Sequence, residues 1–309
     1  MILRALQPGE WDAVAGVIFS STNAWYEAHR GFIAFSAGVE SCRLFPQVYE
    51  GMDPGCCVVA EDSAAGRIMG SCFYRLRETH VSLGILNVHP EYFGRGVATK
   101  LLRCVTDFAD RQKEGGLPVR LVSSAMNLDS FSLYSRAGFV PRAVFATMQA
   151  SATAVPAEVP LVKKGRVRPA TVEDVSTMGT LEMLVGHIRR EKDYRLFTEN
   201  RLGIWHTMIH ENAAGDVDGW LGSVAHPASN MIGPGVMMDE EAAVDLLAAQ
   251  LIHHRGRSPV VLVPTAWPGL MRKMYDWGAR NVEVHVTQAR GRFEEYSGVV
   301  VPTFMPETG

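Results

Sequence analysis

What this chain lacks narrows its class. Its five cysteines, Cys42, Cys56, Cys57, Cys72 and Cys104, are odd in number, and no two stand at C-x-x-C spacing. Neither a disulfide framework nor a zinc site is therefore expected. Cys56 and Cys57 are adjacent in an apolar run, which fits buried free thiols in a reducing compartment. No uncharged apolar run reaches the roughly 18 residues of a membrane span. The opening MILRALQPGEWD has no charged-then-apolar leader pattern. A cytoplasmic protein is expected, with no membrane partner. Basic charge is also not in excess: 30 Lys and Arg stand against 33 Asp and Glu, for a net charge of −3. No global field exists to hold nucleic acid.

What remains is a core-forming composition, 47% hydrophobic and 20% charged. A length of 309 residues favours two domains over one, since domains commonly run to roughly 100–200 residues. The segment 151–165, rich in small residues and carrying two prolines, reads as a linker. It divides a first domain, 1–150, from a second, 166–309. The two halves share an outline. RVRPATVEDVSTMGTLEMLV repeats the pattern of ILRALQPGEWDAVAGVIFSS: a short strand, an Arg, a turn, an acidic residue, then a helix.

In the first half the patterning predicts a strand at 2–5, a helix at 9–29 and a helical segment near 32–45. Strands at about 56–61, 67–76 and 80–88 follow as a meander. A helix runs over about 94–113, with Val97, Leu101, Leu102, Val105 and Phe108 on one face. PVRLVSS is a strand and LDSFSLYSRA a helix stopped by Gly138. A last strand starts at Phe139. The fold class is α/β of the α+β kind, with mixed, mostly antiparallel sheets flanked by helices.

The stretch VHPEYFGRGVATKLL places Gly94, Arg95 and Gly96 where a strand hands over to a helix. Glycines adopt positive φ without steric cost and let a ligand approach the backbone. The first amides of a helix lack internal partners and carry the positive end of its dipole. Such a junction is built to hold phosphate, with Arg95, Thr99 and Lys100 nearby. The same glycines could serve a tight turn alone. The stretch is not a Walker loop, and Thr99 stands where G-x-G-x-x-G needs its third glycine.

LNVHPEYFGRGVATKLL followed by MNLDSFSLYSRAGF resembles the GNAT superfamily of acyl-CoA-dependent N-acyltransferases. Members of that superfamily carry the loop [QR]-x-x-G-x-[GA] and, about 30 residues later, N-x-x-[SA]-x-x-L-Y-x-x-x-G-F. The second element is complete here in Asn127, Ser130, Leu133, Tyr134, Gly138 and Phe139, whereas Phe93 fills the [QR] slot and removes a side-chain donor. The resemblance covers about residues 1–150 well and the second half in outline.

The resemblance implies that acetyl-CoA binds as co-substrate between two splayed parallel strands, with no metal. Backbone of Leu86, Asn87 and Val88 would pair with the pantetheine arm. The loop from Phe93 through Gly94, Arg95 and Gly96 to Val97, Ala98 and Thr99 would take the pyrophosphate. Asn127, Ser130 and Tyr134 would line the other side, with Tyr134 as general acid to the leaving thiolate. Alternatively, Tyr134 is a packed helix aromatic. Candidate bases for the attacking amine are Glu78, His80 and Glu40. Trp25, Tyr26, Phe32 and Phe35 could line an acceptor pocket, though core packing is their commoner use. His89 reads as structural or exposed and Cys104 as a core thiol.

In the second half, MIGPGVMMDEEAAVDLLAAQL lacks the loop, and Asp239, Glu240 and Glu241 crowd the helix start, where they would repel a pyrophosphate. Aligning Gly278 with Gly138 puts Met274 at the general-acid position. A degenerate copy without cofactor is expected. Trp205, His206 and His210 are expected on a helix, the histidines at i, i+4. The expected activity is acetyl transfer from acetyl-CoA to the primary amine of a small molecule or peptide. A non-catalytic acyl-CoA sensor or scaffold is the alternative, and a homodimer stays open.

Overall fold

A computed structural model describes residues 1–151 and 161–306. Most of the linker assignment therefore lies outside the described residues. The first half runs β1 (Ile2–Ala5), α1 (Trp11–Arg30), α2 (Leu44–Met52), β2 (Cys57–Asp62), β3 (Arg67–Leu76) and β4 (Val81–Val88). It continues with α3 (Val97–Asp110), β5 (Val119–Ser124), α4 (Leu128–Arg136) and β6 (Val140–Gln149). The second half opens with β7 (Gly165–Pro169), α5 (Val175–Gly186) and α6 (Glu191–Glu199). Then come β8 (Trp205–Asn212), β9 (Val217–His226), β10 (Ser229–Met237) and α7 (Glu240–His253). β11 (Val260–Pro264), α8 (Pro268–Asp276), β12 (Arg280–Arg290) and β13 (Val299–Val301) close the chain. The helical segment expected near 32–45 falls later, as a 3₁₀ turn at Val39–Arg43 leading into α2.

The strands form one 13-stranded sheet in the order β1-β2-β3-β4-β5-β12-β6-β11-β10-β9-β8-β7, with β13 alongside β10. The order is near-palindromic: a meander closing on a parallel neighbour appears from each edge. At the centre the halves exchange their last strands. β12 of the second half lies between β5 and β6, and β6 of the first half lies between β12 and β11. The two sheets anticipated from the sequence are thus fused into one.

The core follows the same logic. One cluster joins Tyr49 and Phe73 of the first half to Met178, Tyr194, Phe197 and Trp220 of the second. A second lies under α7 and α8, and a third under α3 and α4. Beside the shared cluster, Asp193 on α6 receives Arg77 at 2.8 Å through both guanidinium nitrogens and Arg75 at 2.9 Å. All three side chains are buried. Burial alone would raise the Asp193 carboxyl, but Arg75, Arg77 and Arg190 outweigh it and hold the group well below the usual carboxylate range. Cys42, Cys56, Cys57 and Cys72 are buried and Cys104 is half-buried. Among the described residues no helix is long and apolar enough to cross a membrane.

Candidate active site

The site begins where two parallel strands part. β4 and β5 pair only at Val81–Val119 and Ser82–Arg120. Beyond these residues they diverge, leaving Leu86, Asn87 and Val88 on a rim that faces a cavity of about 600 Å³. The opposite rim is β5 and the start of α4. Asn127 caps α4, its Oδ1 accepting the Ser130 N–H at 3.1 Å, so the residue that shapes the rim also starts the helix.

The floor is the strand-to-helix junction. Gly94 and Gly96 take φ of 73° and 72°, a region where an L side chain is strained. A Cβ built at either meets nothing within 4 Å, so the space above the turn is open. Gly96 is the N-cap of α3, and the first intrahelical bond runs from Lys100 N–H to the Gly96 carbonyl at 3.2 Å. The amides of Val97, Ala98 and Thr99 precede it and belong to the unpaired first turn. Gly94, Gly96 and those three residues all line the cavity. An open, amide-lined, glycine-bounded cradle at a helix N-terminus fits a diphosphate.

A second cavity, of about 890 Å³, runs between the halves. It shares Thr22, Tyr26, Leu86, Asn87, Ser124 and Glu283 with the first, so the two meet there. Tyr134, on α4, lines the second cavity where it meets β4. Burial, followed by nearby Cys72, raises its hydroxyl above the ordinary tyrosine range, so it holds its proton at neutral pH.

Glu283 is the feature that sequence reasoning missed. It comes from β12, the exchanged strand, and is 6% exposed. Tyr26 Oη donates to its Oε2 at 2.8 Å, and the Ser124 hydroxyl donates to its Oε1. Arg30, the neighbouring cation, is turned to the Val282 carbonyl at 2.5 Å and the Met126 sulfur at 3.2 Å. Two places along the same strand face, His285 meets Thr147 Oγ1 at 2.6 Å, and burial lowers its pKa to about 4. The only sequence signal was the alternation of NVEVHV, which ordinarily marks a strand with a polar face to solvent.

The structure places the other predicted residues as follows. Phe93 lies at the cradle and is exposed. Arg95 leans over the Tyr92 ring at 5.3 Å and is not on the cavity wall. Neither Glu78 nor His80 reaches either cavity. They precede β4, seven or more residues and roughly 20 Å from Asn87 at a strand's rise per residue. Glu78 is exposed. His80 is buried between Thr79 and Ser82, and burial with Arg120, Arg77 and Arg190 around it keeps its ring neutral. Glu40 is exposed and lines neither cavity. His89 caps the 3₁₀ turn at Pro90–Tyr92. The aromatic run serves the cavities more than the core: Trp25 borders the first, and Phe32 and Phe35 border the second.

Comparison with known proteins agrees with this geometry. Residues 53–141 match the family model of the acetyltransferase (GNAT) domain. Solved structures share the fold over nearly the whole chain. A presumed acetyltransferase from Pyrococcus horikoshii aligns with a TM-score of 0.74 at 15% identity, over 98% of this chain and 95% of that one. A GCN5-related N-acetyltransferase from Sphaerobacter thermophilus aligns at 0.62 and 16%, over 96% and 98%. A tandem GNAT protein from the clavulanic acid biosynthesis pathway aligns at 0.58 and 14%, over 95% and 99%. At these identities the likeness carries the fold. No curated protein matches.

The second half repeats the strand pattern of the first with its notch filled. β10 and β11 pair only at Met231–Val260 and Ile232–Val261. β13 then pairs with β10 at Gly235, Val236 and Met237, beside the opening. At the start of α7, Asp239 caps the helix by accepting Ala242 N–H at 3.0 Å, and Lys163 neutralises it. Met274 is buried, while Tyr275 is exposed and its hydroxyl accepts from Asn281. His206 and His210 lie on strand β8, not on a helix as the spacing suggested. His206 stacks on His253, and His210 bonds Asp218 at 2.5 Å. Among the described residues no cluster of three or more His, Cys, Asp or Glu side chains could hold a metal ion.

Proposed function

We propose that this chain is an N-acetyltransferase that moves the acetyl group of acetyl-CoA to a primary amine. The observation that supports it most directly is the pair of strands that part after Ser82 and Arg120 above the Gly94–Gly96 cradle. The rim of Leu86, Asn87 and Val88 would pair with the pantetheine arm, and the first-turn amides of α3 would hold the diphosphate. The thioester supplies an electrophilic carbonyl and a thiolate leaving group. A backbone amide of Leu86 or Asn87 stabilises charge developing on the carbonyl oxygen. Tyr134, kept protonated by burial, gives its proton to the departing sulfur.

The reading is tested by following free CoA thiol across a panel of amines. Tyr134→Phe should lower kcat by about 100-fold or more, the usual worth of general acid catalysis. The affinity for acetyl-CoA, measured by calorimetry, should stay within about threefold, because phosphate binding rests on backbone amides. A variant that turns over at the wild-type rate removes Tyr134 from the mechanism.

A second reading rests on Phe93, exposed at the cradle in the slot where the family pattern has a donor side chain. Under that reading the chain binds acyl-CoA as a sensor. Micromolar calorimetric binding with no thiol release from any amine would favour it.

A further inference from the structure

Glu283 is a buried carboxylate whose hydrogen bonds come from two neutral hydroxyls, those of Tyr26 and Ser124. Buried charges are ordinarily paired with an opposite charge, because desolvation of a lone ion is costly. Arg30, on the same cavity wall, does not hydrogen-bond it: its guanidinium is bonded to the Val282 carbonyl and the Met126 sulfur. Glu283 also stands where the two cavities join. One opening leads to the cradle and the other into the larger cavity between the halves. The walls of that larger cavity are mainly apolar, with Phe32, Phe35, Ile85, Met231, Val260 and Phe304 among them. Its volume of about 890 Å³ is in the range that holds a drug-sized molecule.

We infer that the second half completes the acceptor site: Glu283 takes the ammonium group of a primary amine whose aromatic or aliphatic body fills the cavity between the halves. The inference rests on the acyl-transfer reading and names its acceptor class. The acceptor arrives as R–NH₃⁺ and gives one proton to the Glu283 carboxylate, which passes it to solvent. The freed nitrogen pair forms the C–N bond to the thioester carbonyl as the C–S bond breaks. The thiolate takes the Tyr134 proton. The second proton lost from nitrogen restores the Tyr134 hydroxyl through water, and the third stays on the amide. An α-amino acid is disfavoured, because its carboxylate would sit beside Glu283.

The test compares 2-phenylethylamine with phenylalanine and ethanolamine, in wild type, Glu283→Gln and Phe32→Ala. Wild type should acetylate 2-phenylethylamine with a kcat/KM at least tenfold above the other two. Glu283→Gln should lower that kcat/KM by about 100-fold. The same variant should weaken calorimetric binding of 2-phenylethylamine to the acyl-free protein at least tenfold. Its affinity for acetyl-CoA should not change. Phe32→Ala, on the outer wall, should narrow the preference for 2-phenylethylamine over ethanolamine by fivefold or more. Wild-type amine affinity and rate in Glu283→Gln would overturn the assignment while leaving acyl transfer standing. Equal or better use of phenylalanine or ethanolamine would overturn the acceptor class. Absence of acetyl-CoA binding in wild type would sink the acyl-transfer reading itself, and the transfer step with it.

Discussion

Gly94 shows how little a residue needs in order to define a site. It contributes only the freedom to hold a φ of 73° and the absence of a Cβ in an open space. An alanine there would be strained by about 1–2 kcal/mol in the left-handed region. Its methyl would stand where a diphosphate would approach the backbone. Gly94→Ala should therefore weaken acetyl-CoA binding about tenfold by calorimetry while the protein stays folded. Unchanged affinity would mean that the cradle does not carry the diphosphate. Glu283 teaches the opposite lesson. Its chemistry is in its side chain, yet nothing near it in sequence marks it, because its partners Tyr26 and Ser124 lie 257 and 159 residues away.

Among the elements, β12 has the widest consequences. It separates β5 from β6, pairing with each. Residues 1–150 hold the glycine loop, Asn127, Tyr134 and the whole segment matched to the GNAT domain. On their own they would leave β5 and β6 with unpaired facing edges, and such edges invite aggregation. They would also expose the part of the shared core that the second half covers. The isolated fragment 1–150 should lack a cooperative thermal transition by circular dichroism and should not bind acetyl-CoA. A soluble fragment with a sharp transition would show that the exchanged strand is dispensable. α4 illustrates a more local design: Asn127 caps the helix and borders the cavity at once.

At the scale of the molecule, the halves are joined by buried charge as well as by strands. Asp193 on α6 holds Arg75 on β3 and Arg77 just after it. Asp193→Asn leaves buried Arg77 without its counter-charge, while Arg75 keeps Asp53, and should cost roughly 3–5 kcal/mol. The loss should appear as one lowered transition for the whole chain in urea unfolding. The sign of its pH dependence follows from the depressed Asp193 pKa. Its contribution is complete above the ordinary carboxylate pKa of about 4 and is lost as pH falls below that value. The stability gap between wild type and Asp193→Asn should accordingly be widest near neutrality and should shrink below about pH 4. A gap that does not depend on pH would show that Asp193 stabilises by packing and not by charge.

Much of this was legible in the sequence because much of it is local. The positive-φ glycines, the cap at Asn127 and the alternation of β2, β3 and β4 depend on residues a few places apart. The acidic start of α7 is local too. These features located the glycine turn, whereas the notch and the place of Tyr134 were implied by the resemblance to the GNAT superfamily. The placement of Glu78 and His80 could not be read in this way: nearness along the chain put them on the strand that feeds the site, but a strand's rise carries them to its far end. His206 and His210 fit a helix by spacing, yet Gly219 to Val224 of β9 pair with them in a sheet. The sequence by itself determined the α/β fold class, the glycine turn at Gly94–Gly96 and the helix cap at Asn127. Only the tertiary structure decided that the halves exchange strands, that β13 lies beside the second notch, and that Glu283 faces a cavity instead of water. The physical reason is that an alternating strand has the same pattern whatever its polar face meets. Which strand lies beside it is settled by contacts far apart in the chain.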